Sequence, residues 1–206
     1  MNTAIYYSAN NENPVFEQKI MDNIKLQAGD CPIISVTHKP VDLGKNICIG
    51  QKPICYSNSF KQLLMGLREA TTEFCVACEA DVLYPPEYFS FTPPRNDCVY
   101  RYTNVWVHFA GRDRFYKKKF SEGAQICGRE HWIKSIEAIL DHPDSWDYEP
   151  LKFIFPDNAI NHWSGNPVIT FKTRDAVNFK TGYEKETVTE LPFWGTAEYV
   201  RDNFLH

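Results

Sequence analysis

Glu79-Ala80-Asp81 is the stretch of this chain whose residue types and spacing best suit chemistry. It directly follows an apolar run of strand length, Glu73 to Ala77 (EFCVA). Two carboxylates two residues apart at a strand end can face one hard cation and leave positions for diphosphate oxygens. Magnesium or manganese held this way neutralises charge building on a leaving phosphate. The plainer alternative is a turn after a strand, where acidic residues are common. The run Arg112-Asp113-Arg114-Phe115-Tyr116-Lys117-Lys118-Lys119 is the one basic cluster. It suits an anionic acceptor, with Phe115 and Tyr116 available to stack, or else it is a solvated loop.

Other chemistries are disfavoured. Cys75 and Cys78 form a CxxC, but no second pair follows at a usable spacing. Three apart on a strand their side chains face opposite ways, so they read as packing thiols rather than zinc ligands. The six histidines show neither HxxxH nor HxH. The absence of G-x-S-x-G, a P-loop and G-x-G-x-x-G argues against serine hydrolases, Walker-type ATPases and dinucleotide enzymes. Trp146, Trp163 and Trp194 suit either a sugar platform or the core. The formal net charge of −4 argues against a whole-surface grip on nucleic acid. No apolar run reaches the roughly 18 residues a membrane helix needs. The opening MNTAIYYSANN lacks a charged-then-apolar leader, and seven cysteines form no even framework, so the expectation is a cytoplasmic protein with reduced thiols.

The elements that must position these residues alternate. Ala4 to Ser8 reads as a strand ending in the turn Asn10-Asn11. Pro14 to Ala28 carries a helical stripe of Val15, Phe16, Ile20, Ile24 and Leu26, closed by Gly29. Pro32 to Val36 is a second strand, and Ser57-Asn58-Ser59 caps a helix running through Leu63, Leu64 and Leu67 to Ala70. The strand at Glu73 then delivers Glu79 and Asp81. This βαβ rhythm predicts an α/β fold around a mixed, mostly parallel central sheet flanked by helices. Ligands of such sheets lie beyond the carboxyl ends of the strands. Farther on, Val99 to Phe109 alternates like a strand pair, and Arg129 to Leu140 is helical. Asp141 to Asn166 has the composition of an irregular lid, Val168 to Lys172 is a last strand, and the tail from Leu191 is a short helix at best. With 206 residues and 43% apolar types, one domain over 1–206 is expected.

The stretch Glu73 to Phe89 (EFCVACEADVLYPPEYF) resembles the strand and metal motif of GT-A-fold glycosyltransferases, and more narrowly is similar to small family-two-like enzymes of phages and environmental bacteria. Those read EDD or DxD here, followed by an LYPP-type element. Pro32 to Val36 with Gly44-Lys45-Asn46-Ile47 resembles the second strand and donor loop. Gly123 to Glu130 resembles the acceptor-side turn opening a helix, and Arg174 to Asn178 with Leu191 to Gly195 resembles the closing segment.

The resemblance implies a Rossmann-like GT-A domain with a nucleotide-sugar half over about 1–90 and an acceptor half over about 91–206. It implies transfer of a sugar from a nucleotide-diphosphate sugar, UDP being the usual nucleotide, to an acceptor hydroxyl with Mn²⁺ or Mg²⁺. The acceptor class stays open among a glycan, a small molecule and a modified DNA base. Asp81 would bind metal directly and Glu79 directly or through water, with Asp175, or else His162, as a third ligand. Tyr6, Tyr7 and Ser8 would meet the nucleobase, Ser35 and Thr37 the base or ribose, and Lys45 and Asn46 the donor hydroxyls or phosphate. An inverting transfer needs a carboxylate base, for which Glu130, then Glu149, with Asp147 beside it, are the candidates. The rivals are a nucleotidyltransferase on the same fold and a non-catalytic carbohydrate- or nucleotide-binding protein on a decayed one.

Overall fold

The computed structural model describes residues 1–140, 159–173 and 186–205. Strand β1 (Asn2–Ser8) is buried along its whole length, as a strand covered on both faces must be. Helix α1 (Pro14–Ala28) follows, with Asn13 as N-cap: its side chain accepts from the amides of Val15 at 2.9 Å and Phe16 at 3.4 Å. The stripe it buries is Phe16, Glu17, Ile20, Met21 and Ile24; the expected members Val15 and Leu26 lie off it and are 61% and 75% exposed.

Strand β2 (Ile33–Thr37) pairs parallel to β1, and β3 (Lys45–Cys48), expected as a loop, pairs parallel to β2 as the edge strand. Helix α2 (Tyr56–Glu69) starts one residue before the expected serine cap; Cys55 occupies the N-cap position without a side-chain hydrogen bond. Gly66 lets α2 lie close on β1, since a Cβ there would run into Cγ2 of Ile5. Strand β4 (Phe74–Glu79) is parallel to β1, followed by β5 (Val82–Leu83) and helix α3 (Pro86–Ser90).

Next come β6 (Val99–Tyr102), β7 (Val105–Phe109), β8 (Phe115–Lys118), β9 (Gln125–Gly128) and helix α4 (Arg129–Leu140). After 141–158, β10 (Ile160–Trp163) and β11 (Val168–Lys172) follow; after 174–185, β12 (Thr187–Val188), β13 (Glu190–Leu191), β14 (Gly195–Thr196) and helix α5 (Ala197–Phe204) complete the chain. The tail is therefore a hairpin plus a two-turn helix rather than helix alone.

The central sheet runs β10-β6-β9-β4-β1-β2-β3, with β9 alone antiparallel. A second sheet, β12-β8-β7-β11-β5, leans against one face. On that face lies one core, with α1, Tyr6, Tyr84, Tyr88 and Phe171; on the other, α2 and α4 bury Ile5, Val36, Leu63, Leu67, Cys127 and Trp132. Phe115 sits in the first core, fully buried, so the basic run offers no phenylalanine for stacking. Trp163 and Trp194 are likewise buried, so they pack the interior instead of forming a sugar platform; Trp146 lies outside the described residues. No described helix is long and apolar enough to cross a membrane.

Candidate functional site

The carboxyl end of β4 lies mid-sheet, and there the chain turns through Ala80 into β5, which leaves Glu79 and Asp81 half-buried at the sheet edge. Glu79 registers with Tyr7 of β1, whose hydroxyl donates to Glu79 Oε1 at 2.9 Å. Gly123 closes on the other carboxylate oxygen: a Cβ there would run into Glu79 Oε2. The turn itself is pinned, because the Tyr84 hydroxyl accepts from the Glu79 amide at 2.9 Å and donates to the Gly123 carbonyl at 2.6 Å. The Phe171 amide donates to the Asp81 carbonyl at 2.7 Å, bringing the end of β11 alongside.

Burial, then the nearby charge of Asp81, pushes the Glu79 carboxyl up to about 7, and burial also raises Asp81. Lys118 acts against both shifts and Lys172 against that of Asp81, while Glu122 adds a further negative charge near Glu79. Two half-buried carboxylates that resist ionisation together fit a bound cation, because a divalent ion would supply the charge their neighbours do not. The donor set is all oxygen, which suits magnesium or manganese over zinc or copper. Among the described residues no group of three acidic, histidine or cysteine side chains is preassembled around one point.

The other residues singled out in the sequence divide sharply. Tyr6 is fully buried and its hydroxyl donates to Glu17 Oε1 at 2.8 Å, so its ring offers no stacking face. Ser8 Oγ donates to the same oxygen at 2.5 Å, and Asn10 Nδ2 does so at 2.9 Å. Ser35 and Thr37 are fully buried and spend their hydroxyl protons on the carbonyls of Leu43 at 2.8 Å and Lys39 at 2.6 Å. Asn46 ties them together, its Nδ2 lying 2.9 Å from both Ser35 Oγ and Thr37 Oγ1. Lys45 registers with Ile34 and pairs with Glu69 at the end of α2, away from the carboxyl edge. Tyr6, Ser8, Ser35, Thr37 and Asn46 are thus bound up in hydrogen bonds within the protein.

Glu130 is separated from Glu79 by the whole of β4. Gly128 registers with Phe74, and the Arg129 amide donates to the Glu73 carbonyl at 2.8 Å, so Glu130 stands at the amino end of that strand. Between Gly123 and Glu130 the chain is not one turn: β9 (Gln125–Gly128) intervenes and carries them to opposite ends of the sheet. Six residues of strand place them about 17 Å or more apart. His162, on β10, registers with Arg101 of β6 and so lies three strands from β4, or about 14 Å across the sheet. That is beyond coordination distance of a shared ion. Asp147, Glu149 and Asp175 lie outside the described residues.

Glu17 escapes a reading of the sequence for function. Its side chain is 3% exposed and gathers three donors, which locks the β1–α1 loop; Asn10 Oδ1 then accepts from the Lys39 amide at 2.8 Å. A signal is nevertheless present: Glu17, Ile20, Met21 and Ile24 share helical spacing, so a carboxylate stands inside the apolar stripe. Glu17→Gln replaces a charged acceptor of three hydrogen bonds with a neutral one, and is expected to lower stability by about 2 kcal/mol in urea unfolding. Unchanged stability would show that the network contributes nothing net.

No family model matches this chain, and no curated protein sequence matches it. Solved structures share the fold. The inositol-1-phosphate CTP transferase from T. maritima is 10% identical, with a TM-score of 0.54, over 87% of this chain and 92% of that one. S. aureus TarS is 10% identical, with a TM-score of 0.52, over 84% of this chain and 37% of that one. A glycosyltransferase involved in the glycosylation of the major capsid of PBCV-1 is 8% identical, with a TM-score of 0.50, over 80% and 82%. A TarS 1-349 structure in complex with UDP-GlcNAc matches at 11% identity and a TM-score of 0.50, over 84% and 59%. This chain thus spans little more than a third of that TarS chain. At such identities the likeness shows the fold alone: the mixed α/β sheet that glycosyltransferases and nucleotidyltransferases share.

Proposed function

We propose that this protein is a glycosyltransferase that moves a sugar from a nucleotide-diphosphate sugar, UDP-linked by preference, to an acceptor hydroxyl. The observation that carries this reading is the half-buried Glu79–Asp81 pair at the carboxyl end of the central parallel strand. Asp81 and Glu79 would hold Mn²⁺ or Mg²⁺, with Asp175 as a further ligand. The ion, when bound, neutralises charge on the departing nucleoside diphosphate. Tyr7 and Gly123 fix the Glu79 carboxylate from two sides, and Lys118 and Lys172 add positive charge where phosphates would lie. Glu17 holds the β1–α1 loop that would receive the base. Inversion requires a carboxylate base, the role this reading gives to Glu149.

A nucleotidyltransferase reading draws on the T. maritima likeness. Against it, the loop from Ser8 to Asn13 has no glycine and no basic residue to cradle a triphosphate. The decisive experiment is a thermal-shift panel of nucleoside mono-, di- and triphosphates and nucleotide sugars, with and without Mn²⁺. Stabilisation by one diphosphate and its sugar conjugate, only with metal, is expected. Preference for a triphosphate would support the rival, and a flat panel would point to a non-catalytic protein. Glu130→Gln is expected to leave both nucleotide binding and slow Mn²⁺-dependent donor hydrolysis unchanged. Loss of hydrolysis with binding retained would return the base to Glu130.

A further inference from the structure

We propose that the acceptor carries an acidic group, a carboxylate or phosphate on a sugar, and that Arg101 reads it. This rests on the glycosyltransferase reading and extends the same site along the sheet edge. Strand alternation sets the geometry. Ile5 and Tyr7, Ala77 and Glu79, Cys127 and Gln125, Val99 and Arg101 each fall two residues apart, and the apolar member of each pair belongs to the core under α2 and α4. Tyr7, Glu79, Gln125 and Arg101 therefore form a polar row on one face, above that core. Tyr7 registers with Glu79, Arg101 with Gln125, and Val76 with Ile126, which sets Gln125 level with Ala77. Two strand spacings across and two residues along separate the Cα atoms of Arg101 and Glu79 by about 12 Å.

One short loop bridges that distance. Between β8 and β9, Gly123 abuts the Glu79 carboxylate, and Phe120 stacks on the Arg101 guanidinium, 4.4 Å from Cζ to the ring centroid. Three residues of chain reach no more than about 10 Å, so this loop ties the guanidinium and the Glu79 carboxylate to one stretch of the sheet edge. Gln125 stands between them, 4% exposed, with Oε1 lacking any hydrogen-bond partner. A buried amide oxygen without a donor is uncommon and costs stability unless a ligand or water satisfies it. A sugar hydroxyl is a donor of the right kind. Arg101 also contacts the protein elsewhere, and its five N–H donors can serve an anion as well. The ring of Phe120 holds the guanidinium plane, the form that grips carboxylate or phosphate in two parallel bonds. Lys118, and a cation when one is bound, would offset Glu79, Asp81 and Glu122 on the donor side, so an anion beside Arg101 would not face uncompensated negative charge.

The test is calorimetric titration with glucuronate, glucose 6-phosphate and neutral glucose, on nucleotide-free protein and on protein saturated with UDP and Mn²⁺. At least one acid is expected to bind about tenfold or more tightly than glucose, consistent with a charge-assisted pair. Which acid wins identifies the source of the charge. Arg101→Gln should erase the preference and Arg101→Lys keep part of it, while UDP–Mn²⁺ binding stays unchanged in both; the lost contact with Phe120 lowers the melting temperature of the free Arg101→Gln protein only slightly. Equal binding of glucose, or an acid preference that survives Arg101→Gln, overturns the proposal while leaving the donor reading intact. If UDP fails to bind, the donor reading falls, and the nucleotide-free titrations still decide the role of Arg101. Tight binding of a DNA oligonucleotide with no response to either sugar acid would overturn it in favour of a nucleic-acid acceptor.

Discussion

Asp81→Asn is expected to abolish Mn²⁺-dependent nucleotide binding and to lower sugar transfer by about a thousandfold, the several kcal/mol that a metal contributes to a charged transition state. The substitution is near-isosteric, so the turn should survive: the Phe171 amide donates to the backbone carbonyl of Asp81, not to its side chain. Burial already raises the Asp81 carboxyl, so removing the charge relieves the free protein. Folding and binding should therefore separate cleanly. In wild type, nucleotide at a hundred times its Kd with Mn²⁺ present adds about 2.7 kcal/mol to unfolding stability. In the Asp81→Asn variant that increment should vanish while the free melting temperature holds or rises. Equal nucleotide affinity in the two proteins, still dependent on Mn²⁺, would remove Asp81 from the ligand set and move the cation elsewhere on the sheet edge.

What a sequence reveals and what it hides follow from range. β1, β2, β4, α1 and α4 are legible because each carries its own local apolar signal, a run in the strands and a stripe in the helices, and the placement of Glu79 and Asp81 comes with the strand that ends there. The edge strand β3 is hidden: Lys45 and Cys48 are exposed and only Asn46 and Ile47 turn inward, so no alternation marks it. Glu130 misleads because a glycine turn before a helix looks the same whether the helix follows a loop or an antiparallel strand. Only the pairing of Gly128 with Phe74 reveals that β9 runs back down the sheet. Tyr6, Ser8, Ser35 and Thr37 do lie near the strand ends, yet a strand segment does not disclose which way each side chain turns. Their hydroxyls satisfy partners eight or more residues away, or backbone turns nearby. Glu17 shows the converse, a long-range network with a local signature that is readable in principle.

Glu79→Gln should make the metal-free protein more stable at pH 8.5 and hardly change it at pH 4.5. Burial and Asp81 raise the Glu79 carboxyl from an ordinary 4.5 to about 7, so the folded state holds its proton more tightly than the unfolded chain does. Stability from this group is therefore fully present below about pH 4.5 and is lost as pH rises through about 7. Each tenfold gain in proton affinity on folding corresponds to about 1.4 kcal/mol, and partial access to solvent reduces the total, so the expected gain is about 2 kcal/mol. Glutamine keeps an oxygen for the Tyr7 hydroxyl and fits against Gly123, so packing should not mask the effect. Urea unfolding of both proteins at the two pH values measures it. Adding Mn²⁺ at pH 8.5 should then reverse the order, because only wild type presents two carboxylates to the ion. A Glu79→Gln variant no more stable than wild type at pH 8.5 would mean that the pair is already compensated by Lys118 and its neighbours. In that case the strain at this edge would no longer argue for a cation, and the glycosyltransferase reading would have to rest on nucleotide binding alone.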